Sequence, residues 1–409
     1  MFLKKNLVAL LISLLFTTGI SAQRPINTGI WRGVLKLNDS TELPFNFEIK
    51  ELDKQYTMLI SNQEEQISVT DITFNNDSVF IKFPVFNSEF RLKNQTTSLT
   101  GEWINRSKPT NSYAIPFIAN ANQEKRFLFP ETTQPLTKER WKVTFEPGSK
   151  DQYFSVGLFQ TINGKTTGTF TTETGDYRYL EGCSNETKFM VSCFDGAHAY
   201  LFYATRKNGA LINGHFYSGK SGYEKWMAIP DDQFELRDPY GLTYLKPGYT
   251  KLDFTFKNLQ GKTVSLQDPN FKNKVVIVQL MGTWCPNCMD ETRFLSSFYD
   301  AYKDKGVEIV GLAFERTTDF STSANNLNRL KDRLNVNYEL LITGKTGKDQ
   351  ASQALPMLNG VMAFPTTIYL DKKGVVRKIY TGFNGPATGE KYDLFVKETN
   401  QFIEHLLAE

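Results

Sequence analysis

Two cysteines separated by two residues are the part of this 409-residue chain best suited to chemistry: Cys285 and Cys288, within Trp284-Cys285-Pro286-Asn287-Cys288. On a helix, that spacing sets the second sulfur one turn from the first, close enough to form a disulfide with it or to resolve a mixed disulfide. If a helix begins at Pro286, Cys285 falls at its N-cap, where unpaired backbone N–H groups and the positive end of the helix dipole stabilise a thiolate. Proline suits the first helical position because its missing N–H would have no partner there anyway. Cys285 is therefore expected to attack and Cys288 to resolve. The competing reading, a structural zinc half-site, needs a second Cys or His pair at ligand spacing, and Cys183, Cys193 and three isolated histidines do not provide one. No metal and no cofactor beyond the cysteine pair is expected.

Chemistry of this kind needs a strand that hands over to a helix at the motif. Val275–Met281 is an almost unbroken apolar run, as in a strand covered on both faces, and 307–314 is a second. Between them Phe294, Leu295, Phe298 and Tyr302 form one stripe of a helix over Pro286–Tyr302. That is a βαβ unit with a parallel strand pair. A further helix is expected at 321–334, a strand at 338–342, a hairpin from 367–370 and 375–380, and a last amphipathic helix running to Leu407.

These features resemble the thioredoxin-like thiol-disulfide reductases of the TlpA and ResA type, found in bacterial envelopes. The resemblance covers 251–409 and rests on the Trp-Cys-Pro-Asn-Cys stretch, on Phe364-Pro365-Thr366 just before the hairpin strand, and on Glu291 three residues after the second cysteine. It implies a cis peptide bond at Pro365 facing the cysteine pair, where substrate backbone can align, and a role for Glu291 in tuning or relaying the protons of the thiols. Trp284, Pro286, Phe364 and Thr366 are expected to support the site. Gln279 departs from thioredoxin proper, which has a buried aspartate in the corresponding strand. Glu291 then becomes the candidate proton acceptor for Cys288. Its competing reading is a surface charge favouring the N-terminal half of the helix.

The remainder of the chain reads differently. Residues 1–22 carry Lys4-Lys5, an apolar stretch about half as long as a membrane span, and a small-residue end at Gly19-Ile20-Ser21-Ala22, the pattern of a secretory signal peptide. No later stretch is long enough to span a bilayer, so the mature chain is expected to be soluble in the periplasm or cell envelope. Trp31 matches Trp141 at an offset of 110, the run 79–83 falls on 189–193, and Ala114-Ile115-Pro116 repeats as Ala228-Ile229-Pro230. Short alternating runs with Asn, Asp and Gly turns mark both copies as antiparallel β units. The fold expected is thus mixed: a signal peptide (1–22), two related antiparallel β domains (23–125 and 126–240) and an α/β thioredoxin-like domain (241–409).

Hydrophobic residues make up 40% and charged ones 22%, which predicts folded domains throughout. Without Lys4 and Lys5 the charge is close to neutral, which gives no reason to expect nucleic acid as a partner. Expected partners are disulfide-containing envelope proteins and a membrane or periplasmic electron donor. Cys183 and Cys193 read as small core residues, the histidines as structural or solvated, and the tryptophans of the β units as core. Two other functions compete: peroxide reduction, whose P-x-x-x-[T/S]-x-x-C pattern neither Cys285 nor Cys288 fits, and a β-domain binding protein with an accessory redox domain.

Overall fold

The computed structural model describes residues 24–107, 113–128 and 137–409. The expected leader, and residues 129–136 of the stretch joining the two β units, lie outside the described residues. Among the described residues, no helix is long and apolar enough to cross a membrane.

The N-terminal region is β-rich and builds two barrel-like sheets, because its sequence alternates. In the strand Glu42–Leu52, Phe45, Phe47 and Ile49 are buried while Asn46 and Glu48 are only partly so. The first sheet has nine antiparallel strands. Its first strand, Gly29–Lys36, lies between the second, Glu42–Leu52, and the last, Ala114–Ala121. The second sheet also has nine strands, and its first, Thr137–Phe145, lies between Tyr153–Ile162 and the last, Gly222–Pro230. Pairing of Tyr153–Ile162 with Lys165–Thr172 closes this second sheet into a ring. Trp31, Trp103, Trp141 and Trp226 are all fully buried, as core residues should be.

The two sheets are packed on each other. Phe194, Ala199 and Leu201 of the second belong to the core of the first, where Phe194 lies 4.4 Å from the Phe45 ring. Arg126 is buried between them and donates to the carbonyls of Ser61 (2.6 Å) and Ser192 (3.0 Å). A buried guanidinium is tolerable only when its donors are met in this way. Cys183 lies opposite Met190 and Cys193 opposite Tyr200, so the hairpin keeps them apart, and both are thiols.

From Thr255 onward the pattern changes to mixed α/β. Seven strands run in the order Thr263–Ser265, Thr255–Asn258, Glu339–Ile342, Val307–Ala313, Val275–Met281, Thr366–Leu370 and Val376–Thr381. Val275–Met281 is parallel to Val307–Ala313 and antiparallel to Thr366–Leu370. All seven of its residues are buried, which is why the run is apolar rather than alternating. Helices α1 (Pro286–Tyr302), α2 (Phe320–Leu334), α3 (Gly347–Ala354) and α4 (Glu390–Ala408) complete the domain. The expected helices and hairpin are present. Two elements were not anticipated: α3, where only Ala351 is buried and no apolar stripe exists to reveal it, and the short antiparallel pair Thr255–Asn258 and Thr263–Ser265.

Candidate active site

The dithiol sits where the central strand hands over to α1. Pro286 occupies the first helical turn and Cys285 is the N-cap, with an extended backbone (φ −106°, ψ 108°). The Cys288 N–H donates to Cys285 Sγ at 3.3 Å, so the sulfur takes the place of a capping oxygen and satisfies a helix-terminal donor. The Cys285 thiol in turn lies 3.5 Å from the Phe364 carbonyl. The Phe364–Pro365 peptide bond is cis, and the Thr366 hydroxyl donates to the Ala363 carbonyl at 2.8 Å, bracing that turn beside the sulfur. Cys288 is fully buried, and burial, followed by the adjoining Cys285, pushes its thiol well above the usual range.

Behind the sulfurs lies a buried polar cluster. Glu291 is fully buried; its Oε2 accepts from Gln279 Nε2 at 2.8 Å and its Oε1 from the Thr367 hydroxyl at 2.6 Å. Burial raises the carboxyl from its ordinary 4.5 to about 7, against the lowering effect of those two hydrogen bonds. The surface-charge reading of Glu291 is therefore excluded. Gln279 bridges the cluster, since Nε2 also approaches the Cys288 carbonyl at 3.5 Å while the hydroxyls of Thr292 (3.2 Å) and Tyr338 (3.4 Å) reach its Oε1. A glutamine in the central strand thus does by donation what the carboxylate needs: it holds the acid of the next layer in place.

Trp284 packs edge-on against Phe364 at 5.8 Å and donates Nε1 to the Phe314 carbonyl at 3.0 Å. The Arg316 guanidinium covers the indole at 4.5 Å. Burial lowers the pKa of Arg316, while Cys285 and Glu315 act in the opposite direction. Glu315 accepts from both the backbone N–H and the hydroxyl of Thr283, at 2.7 Å each, and fixes the loop before the motif. Every residue expected at the site is therefore brought together around Cys285 and Cys288.

Sequence reasoning missed the part that comes from the β region. Asn287, between the cysteines, donates Nδ2 to the Asp176 carbonyl at 3.0 Å. His198, expected to be structural or solvated, lines a cleft over Cys285 together with Tyr200 and stands 3.3 Å from Asp195. These residues lie about a hundred positions from the motif, and no local pattern links them to it. Among the described residues no group of three or more His, Cys, Asp or Glu could hold a metal ion.

Comparison with known proteins points to the same part of the chain. A family model described as Redoxin matches residues 246–393. Thiol-disulfide oxidoreductase ResA of Geobacillus thermodenitrificans is 30% identical over 140 residues, 34% of this chain and 72% of the relative. Thioredoxin-like protein YneN of Bacillus subtilis is 30% identical over 138 residues, 34% of this chain and 73% of the relative. Among solved structures, the thioredoxin domain of a thiol-disulfide oxidoreductase from Bacteroides vulgatus is similar over 37% of this chain and 99% of its own length, at 25% identity and a TM-score of 0.28.

Proposed function

The chain belongs, through its C-terminal domain, to the ResA-type thiol-disulfide oxidoreductases, and from that premise we propose that it is exported and reduces disulfides of cell-envelope proteins with Cys285 and Cys288. The observation that carries this reading is Cys285 Sγ at the N-cap of α1, accepting the Cys288 N–H with the Phe364–Pro365 turn beside it. The charged leader and apolar stretch of 1–22 support export.

In the proposed cycle, the Cys285 thiolate attacks one sulfur of the substrate disulfide. That bond breaks, the departing sulfur takes a proton, and a Cys285–substrate disulfide forms. Cys288 then gives up its proton and attacks the Cys285 sulfur, releasing the second substrate thiol and leaving a Cys285–Cys288 disulfide. The substrate gains two electrons and two protons. A dithiol donor at the membrane or in the periplasm restores the pair by the reverse exchange. Glu291, with a carboxyl that titrates at about 7 in the same buried cluster, receives the Cys288 proton in this scheme.

We further infer that the β region is a duplication. Trp31 and Trp141 occupy the first strands of their sheets, and in both sheets the first strand lies between the second and the last.

Replacing Cys288 with Ser tests the cycle. Mixed disulfides with envelope proteins are expected to accumulate on Cys285, visible on non-reducing gels and identified by mass spectrometry. If none accumulate and the wild type also leaves a model disulfide unreduced, the reading is wrong.

A further inference from the structure

Cys285 is not presented on an open face. It is only 7% exposed, and the cleft above it, about 230 Å³, has the thioredoxin-like domain on one side and the β region on the other. Three sets of bonds fasten the β side close to the cleft. Asp176 gives its carbonyl to Asn287 within the motif, and its carboxylate accepts from the Gly385 N–H at 2.5 Å. Arg178 is forked onto the two carboxylate oxygens of Asp290 on α1, at 2.8 and 3.0 Å, while it also holds Asp195 of the second sheet (2.8 Å) and Glu65 of the first (2.5 Å). Arg316 donates to the carbonyl of Ser107, in the turn after the strand Ser98–Asn105 of the first sheet, at 2.7 Å.

The seam is also tight. A Cβ on Gly175 would lie 2.5 Å from Asn287 Nδ2, and one on Gly382 would lie 2.7 Å from the Thr174 carbonyl carbon. Separating the walls would break the two charge-assisted bonds of the Arg178–Asp290 fork at a buried site, leaving Arg178 with Asp195 and Glu65 and Asp290 with Arg293. The bonds from Asp176, Arg178 and Arg316 hold the two walls together at the cleft. Pockets for drug-sized molecules run from about 300 Å³ upward, so this space admits a disulfide with little attached on either side.

We propose that the β region is the substrate-selecting wall of the active site, and that the dithiol acts on disulfides carried by slender, extended chains rather than on disulfides at the surface of folded domains. The shared chemistry is a disulfide without bulk around it, supplied by an unfolded polypeptide segment or by a low-molecular-weight disulfide. This rests on the dithiol reading above and adds the selection. Tyr200 and His198 supply side chains on the wall facing Cys285.

The test uses the full reduced chain in single-turnover reactions, followed by Trp284 fluorescence and quantified by thiol labelling. Three substrates are compared: an unstructured peptide with one internal disulfide, oxidised glutathione, and a folded protein with a surface disulfide. The wild type is expected to favour at least one of the two slender substrates over the folded protein. In Tyr200→Ala the ratio of rate constants is expected to move toward the folded protein by about threefold or more. His198→Ala, read by the same ratio, serves if Tyr200→Ala fails to fold. Preference for the peptide over glutathione identifies a polypeptide source, and the reverse a small molecule. A wild type that treats all three alike, or wall variants that leave the ratio within about threefold, overturns the selecting wall while sparing the dithiol. Failure to reduce any of the three overturns the dithiol reading itself.

Discussion

Glu291→Gln should make this protein more stable at pH 8 and slower at its chemistry. Below about pH 4.5 the carboxyl is protonated in folded and unfolded chains alike, and its burial carries no charge. As the pH rises from 4.5 to about 7 the unfolded chain ionises while the folded one keeps its proton, so stability falls by about 1.4 kcal/mol per pH unit. Above pH 7 the accumulated cost is about 3 kcal/mol, and no solvent screening reduces it because the group is fully buried. A glutamine carries no such cost. It does present an amide N–H₂ where the carboxylate had only acceptors for Gln279 and Thr367, which gives back about 1 kcal/mol. A net gain of about 2 kcal/mol is therefore expected at pH 8, shrinking to nothing or reversing at pH 5. Urea titrations at both pH values, with pulsed methanethiolsulfonate labelling of the buried Cys288 as the readout, measure the domain that contains the change. In parallel the resolving step should slow by about a hundredfold, seen as longer-lived mixed disulfides. An equal stability difference at pH 5 and pH 8 would refute the reasoning, since only an ionisation can make the difference depend on pH.

Two further outcomes concern the seam. Arg178→Ala removes the guanidinium that Glu65, Asp195 and Asp290 share, leaving Asp290 with Arg293 alone, and should destabilise the protein by about 3–5 kcal/mol in chemical denaturation; a loss below 1 kcal/mol would mean that water replaces the guanidinium freely. Gly382→Ala places a Cβ against the Thr174 backbone at a residue with φ +77°, so the 173–177 loop must move. Hydrogen exchange at Gly175 and Tyr177 should accelerate by about tenfold, and unchanged protection there would show that the strain is relieved within the thioredoxin-like domain instead.

The bounds of α1 were legible because two signals coincide: Pro286 suits only the first turn, and Leu295, Phe298 and Tyr302 form a buried stripe behind it. Val275–Met281 was legible for a related reason, since a strand covered on both faces must be apolar throughout. Glu291 was ambiguous. Its position three residues beyond Cys288 placed it near the thiols, but whether that face met solvent or Gln279 depended on how α1 packs across the sheet. The order of the β strands was not legible either, because alternation shows that a segment is a strand and says nothing about its neighbours. Least visible was the wall. Arg178 and Asp290 are 112 positions apart, and in the sequence each is one charged residue among many. The meaning of Arg178 lies in three acids that only the folded chain assembles around it.

The ring closure of the second sheet has a consequence for how a visiting chain can be gripped. A strand flanked on both sides offers no backbone hydrogen bonds to a guest, so this barrel cannot hold a peptide by lengthening its own sheet. The short edge at Gly175–Asp176, beside the sulfur, has its Asp176 carbonyl already given to Asn287. On the proposal above, a visiting disulfide would be held by side chains on that wall and by the Phe364–Pro365 backbone opposite, an arrangement that recognises a chain's girth more than its sequence.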